Sequence, residues 1–177
     1  MSENTKKDYE DDFLDDLQNY EYQEMVEKAR NIVLATSAGT GATGAIPIPF
    51  ADAPIMVGEQ VAMMIAINTV FKFDVKKDIL KSLVMVALGT EGATVIGKTV
   101  ASGLLKLIPG AGSVAGAVVS GGTGAVVTLL MGNAYIEVCK AVKMGKLSLD
   151  ELGKQKGKEM MKKAFKEQMK KNKEEKR

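Results

Sequence analysis

A chain of 177 residues with 46% hydrophobic composition has room for one buried core plus tails, and its net charge of +2 favours no partner by itself. There is no histidine and one cysteine, Cys139. Ser/His and Cys/His nucleophile pairs and an intramolecular disulfide are therefore excluded, and any metal site would need carboxylates alone. The small net charge hides an asymmetry. Residues 1–30 carry ten acids and four bases, residues 31–139 six of each, and residues 140–177 six acids and fourteen bases. A neutral core is thus expected between an acidic N-terminal arm (1–23) and a basic amphipathic C-terminal helix (144–177), with 24–143 as the helical domain. The two arms can pair with each other or meet outside partners. The acidic start lacks an apolar signal core and an arginine-rich leader, which points to a cytoplasmic protein, with membrane association left open.

In chain order, Phe13, Leu14, Leu17, Tyr20 and Tyr22 among many acids suggest a short surface helix over 11–23. The period of Tyr22, Met25, Val26, Ala29, Ile32 and Val33 predicts a second helix running towards Gly44. Pro47 and Pro49 then force a turn, because each removes a backbone donor and disfavours helix in the residue before it. Asp52 is placed to cap the next helix, with Pro54 in its first turn, where a missing N–H costs little. Met56, Val61, Met63, Met64, Ile65, Ile67 and Val70 make that helix apolar on most sides, so it is central or faces lipid, and Glu59 is its polar exception. A third helix is expected from Asp74 to about Gly89, with Asp78 near its positive end.

Residues 107–136 contain no charged side chain and seven glycines. Pro109 and Gly110 make a second turn, and a long helix follows to about Lys143. Gly112, Gly116, Ser120, Gly124, Thr128 and Gly132 recur every four residues, so they form one nearly bare ridge on that helix. Each interior glycine costs roughly 0.5–1 kcal/mol of helix stability, which close packing of another helix must recover. Past Gly145, Ser148 and Glu151 form a capping box for a last helix. Its stripe of Leu152, Met161, Phe165 and Met169 is flanked by Lys162, Lys163, Lys166 and Lys170. The expected fold is all-α: a compact domain of five to seven helices with glycine-rich core helices and two proline-containing turns.

One motif imitates chemistry. Gly92 to Thr99 matches GxxxxGK[ST], in which Gly92, Gly97, Lys98 and Thr99 would hold phosphate and magnesium. No acidic strand end, base-reading motif or alternation of strands and helices follows, so the match reads as coincidence. The acids of the first arm lack the glycine and spacing of a calcium loop. No catalytic residue, metal or cofactor is expected. Nucleic acid is not expected either, since the lysines lack interleaved aromatics.

Three segments together resemble a known family: GAIPIPFADAPIMVGEQVAMM (44–64), LLKLIPGAGSVAGAVVSGGTGAVVT (104–128) and MGNAYIEV (131–138). They are similar to the YcjF-type helical domain, which is often appended to Era-like GTPase domains and also occurs alone. The resemblance covers about residues 24–143. It rests on the proline turn with Asp52 and Pro54, on Glu59 after it, and on the turn of Lys106, Pro109, Gly110 and Gly112. It implies a helical interaction or regulatory module, a separate GTPase as partner, and work at a membrane surface. A homo-oligomer and an anionic membrane reached through the basic tail complete the expected partners. The alternatives are an integral membrane protein with glycine-rich helical hairpins and a nucleotide-binding protein using Gly92 to Thr99.

Overall fold

The computed structural model describes residues 3–43, 53–89 and 117–174. Among these there are six helices and no strand: α1 (Glu3–Thr43), α2 (Ala53–Phe71), α3 (Lys77–Leu88), α4 (Ala117–Lys143), α5 (Leu149–Leu152) and α6 (Gln155–Glu174). The all-α expectation holds. Both proline-containing turns, Asp52 and the phosphate-loop-like segment lie outside the described residues.

Helix α4 is the axis of the bundle, packing against α1, α2 and α6, while α3 bridges α2 and α6. Buried contacts fix the directions. Gln60 meets Thr128 and Asn68 meets Tyr135, so α2 runs parallel to α4. Glycine 132 faces Val33, and the Tyr22 phenol feels the charges of Lys140 and Glu137, so α1 runs antiparallel to α4. The core joins Val26, Ala29 and Val33 of α1, Met63, Met64, Ile67 and Phe71 of α2, Leu80, Leu83 and Val84 of α3, and Met131, Ala134, Tyr135 and Val138 of α4.

Two elements differ from the sequence expectation. The acidic arm and the following helix form one continuous α1, because no proline or glycine interrupts the chain before Gly39. The C-terminal helix is split. The Ser148 and Glu151 capping box is present, but it starts only the four-residue α5, and Gly153 breaks the path before α6. That break brings the chain against α3: a Cβ at Gly153 would lie 3.1 Å from Ile79 Cγ1. At Gly157 a Cβ would meet the Leu152 backbone, 2.6 Å from its carbonyl carbon, so only glycine permits this close step from α5 to α6. The apolar stripe of α6 is committed to the core, with Met161, Ala164 and Phe165 buried there beside Leu152 of α5.

Four of the six ridge positions lie on described helix. Gly112 and Gly116 lie outside the described residues, and Ser120 and Gly124 are on α4. Thr128 and Gly132 are buried at the junction of three helices. A Cβ on Gly132 would strike both Val33 methyls, with Cγ1 at 2.6 Å, and would approach Met63 Sδ to 3.1 Å. Here the missing side chain allows α1, α2 and α4 to meet.

Both long parallel helices end in a turn with the hydrogen bonding of a Schellman motif. At the end of α4, Lys146 N–H donates to Ala141 C=O (2.9 Å) and Gly145 N–H to Val142 C=O (3.0 Å), with Gly145 at φ +70°. At the end of α2, Phe73 N–H donates to Asn68 C=O (2.9 Å) and Lys72 N–H to Thr69 C=O (3.3 Å). Here the left-handed position is held by Lys72 at φ 58° rather than by glycine. The turn directs Phe73 onto Phe71, with ring centroids 5.7 Å apart, and beneath the Lys143 ammonium at 5.5 Å. Helix α3 starts at Lys77, later than Asp74, with Lys76 as a cap that makes no side-chain hydrogen bond and Asp78 in the first turn.

Candidate functional site

A groove of about 320 Å³ opens between α1, α4 and α6. Its floor is apolar: Val33 and Ile136 are buried, Leu129 is half-buried, and Leu34 stands 57% exposed at the edge. An exposed leucine of that degree is ordinary alone; beside an open apolar groove it extends the floor outward. The rim is polar, with Arg30 on α1, Asn133 and Glu137 on α4, and Gln168 and Lys171 on α6. Glu137 is already paired with Lys140 Nζ at 2.9 Å. Arg30 and Lys171 are exposed and make no ion pair among the described residues, so the rim offers two uncommitted cations and two amides.

The elements explain why these groups converge. Arg30, Val33 and Leu34 lie three and four apart on one side of α1, and Leu129, Asn133, Ile136 and Glu137 repeat that spacing on α4. Phe165 and Met161 hold α6 to the core, which leaves Gln168 and Lys171 at the rim one to two turns later. The groove offers apolar area, two positive charges and amides, which suit an acidic segment carrying a large apolar side chain.

Away from the groove, a second set of polar and titratable groups is buried. Between α2 and α4 runs a polar seam in which Gln60 Nε2 donates to Thr128 Oγ1 at 2.7 Å and the Tyr135 hydroxyl donates to Asn68 Oδ1 at 2.6 Å. Burial pushes the Tyr135 phenol well above its usual range, and the neighbouring Cys139 thiol is pushed up to about 12, also by burial. A thiol in that state is neutral at physiological pH and is no nucleophile. Gln60 Oε1 and the Tyr22 hydroxyl are buried and find no hydrogen-bond partner among the described residues.

The residues singled out from sequence do not assemble here. Asp52, Lys106, Pro109, Gly110, Gly112, Gly92, Gly97, Lys98 and Thr99 lie outside the described residues. Pro54 is the second residue of α2, and Glu59 is half-buried on the same helix. Among the described residues, no group of three or more Cys, Asp or Glu side chains is placed to hold a metal ion. Sequence reasoning missed the groove, whose residues come from three helices far apart in the chain. The only local signals are Arg30 and Leu34 on the flank of an otherwise regular amphipathic helix.

The sequence model of a family described as a domain of unknown function (DUF697) matches residues 9–174. No curated protein and no solved structure matches.

Proposed function

The chain belongs to the DUF697 family, a domain of unknown function, and from that membership and its own geometry we propose that it is a non-enzymatic helical interaction module serving a separate GTPase at a membrane surface. The observation that carries the interaction reading is the groove, where an apolar floor ending in exposed Leu34 is rimmed by Arg30 and Lys171, which make no ion pair among the described residues. The GTPase comes from the resemblance of residues 24–143 to the YcjF-type domain. The membrane surface comes from that resemblance and from the excess of lysine after residue 140. Because the apolar stripe of α6 is buried, contact of this helix with an anionic bilayer is electrostatic and screened by salt.

The test is direct binding. The immobilised full chain is presented with purified Era-like GTPases carrying GDP or a non-hydrolysable GTP analogue. Binding that depends on the nucleotide and weakens in Leu34→Asp is expected. Absence of binding in both nucleotide states sinks the GTPase partner, and binding unaffected by Leu34→Asp sinks the groove. For the membrane, release of the fractionated protein by a carbonate wash is expected.

One observation favours a second reading, that of an integral membrane protein with glycine-rich helical hairpins. Residues Gly124–Lys143 of α4 are long and apolar enough to cross a membrane, although half of the apolar window is buried inside the bundle. Resistance to carbonate extraction would select that reading.

A further inference from the structure

From the order of the helices around α4 and the division of charge among them we infer that an anionic bilayer is met by the crest of α3, with Met85 at the contact and lysines of α3 and α6 on its two flanks. The inference rests on the membrane-surface reading and adds to it which face turns to the lipid.

Each helix has a fixed place around α4. Helix α1 packs on α2 and α4, α6 on α4 and α3, and α3 on α2 and α6, so α1 and α3 stand on opposite sides of the bundle. The charges follow the same division. Helix α1 carries ten acids and four bases, a net −6. Helix α6 carries eight lysines and three glutamates, a net +5, and α3 two lysines and one aspartate, a net +1. A protein polarised in this way approaches an anionic surface with its α3 side first.

The crest has the side chains for such a contact. Leu80, Leu83, Val84 and Ala87 bury one side of α3, which leaves Lys77, Lys81 and Met85, four residues apart, exposed on another. Met85 is 55% exposed, the one large apolar side chain of α3 that stands clear of the core. On α6 a second row with the same spacing, Lys158, Lys162 and Lys166, is half-buried. Gln168 and Lys171 face α1 across the groove, so this row, beyond the buried Met161 and Phe165, lies on the flank next to α3. Five lysines thus flank the crest against two exposed acids, Asp78 and Glu159. Their long stems carry the ammonium groups to lipid phosphates while Met85 enters the boundary between headgroups and acyl chains.

This orientation leaves the groove open. With α3 on the lipid the helices lie along the surface, and α1 is the helix farthest from it. The opening between α1 and α6 then sits on the far half of the bundle, where a protein partner can reach it while the bilayer is bound.

The test is sedimentation of the intact chain with vesicles of phosphatidylcholine alone and of an equal mixture with phosphatidylserine. Binding to the mixture only, lost at high salt, is expected. Lys77→Gln combined with Lys81→Gln weakens it by roughly tenfold or more, whereas Arg30→Gln combined with Lys171→Gln, the same loss of charge at the groove, weakens it by less than about threefold. Orientation is read from an environment-sensitive fluorophore attached to Met85→Cys or to Leu34→Cys; native Cys139 is 1% exposed and does not compete. On the anionic vesicles the emission shifts to the blue at position 85 and stays unchanged at position 34. Circular dichroism checks that each variant keeps its helices. A shift at position 34, no shift at position 85, or equal losses from the two charge pairs overturns the α3 crest and leaves the membrane surface to another face. Absence of binding to both kinds of vesicle removes the membrane surface itself and leaves the groove untouched.

Discussion

Replacing Gly132 by alanine should destabilise the protein, although alanine is the better helix former. A glycine inside α4 costs about 0.8–1.0 kcal/mol relative to alanine, so in open space the substitution would be stabilising. At this position the new Cβ collides with both methyls of Val33, one of them at 2.6 Å, and sits 3.1 Å from Met63 Sδ. Val33 is 1% exposed and Met63 2%. Neither side chain has free volume to enter, so α1 must move or a rotamer must strain, at about 1–3 kcal/mol. With the helix gain subtracted, the net expectation is a loss of up to about 2 kcal/mol, or up to about 8 °C in Tm for a domain of this size. Gly39 and Gly58 supply the control: both are helical and nothing lies within 4 Å of an added Cβ, so alanine there should raise stability by about 0.5–1 kcal/mol. Val33→Ala should relieve the clash, making the double variant more stable than the sum of the single losses by at least about 0.5 kcal/mol. Urea denaturation of the five variants measures all of this. If Gly132→Ala behaves like Gly39→Ala, or if the Val33 and Gly132 effects simply add, the three-helix junction is not where the structure places it.

At the helix ends the two left-handed residues should respond oppositely: Lys72→Gly gains about 0.5–1 kcal/mol by removing the Cβ strain, and Gly145→Ala loses about 1 kcal/mol, both read by thermal melts. The Glu151 carboxyl is held below its ordinary value by the Ser148 backbone N–H first and the Lys156 ammonium second. A depressed folded pKa means that its contribution is present above the unfolded value and disappears as pH falls through the folded one, so Glu151→Gln should flatten the acid side of the stability profile. NMR titration should show Lys156→Ala moving the Glu151 midpoint upward, and an unchanged midpoint would remove that ion pair from the account. Cys139, with its thiol pushed up to about 12 by burial, should react with thiol reagents only after local opening, so its labelling rate should rise with urea; immediate labelling of the native chain would contradict its burial.

Several features were legible in the residues because they depend on local chemistry. The end of α4 before Gly145 and the Ser148 capping box come from a glycine and a hydroxyl acting on the backbone next to them. The four-residue spacing places Gly132 on one helix face, and what that face meets, Val33 and Met63, is a matter of packing. Tertiary contacts decided the rest. The stripe of α6 fits a bilayer, an acidic arm or a core equally well by pattern, and it lies in the core because α3 and α4 present matching apolar faces. The groove exists only because α1, α4 and α6 bring Arg30, Asn133 and Lys171 together across more than a hundred residues of chain. Lys72 enters the left-handed region because α2 must stop in time for Phe73 to reach Phe71 and Lys143. Sequence periodicity determines which face of a helix is apolar, and the choice of what covers that face belongs to packing between elements distant in the chain.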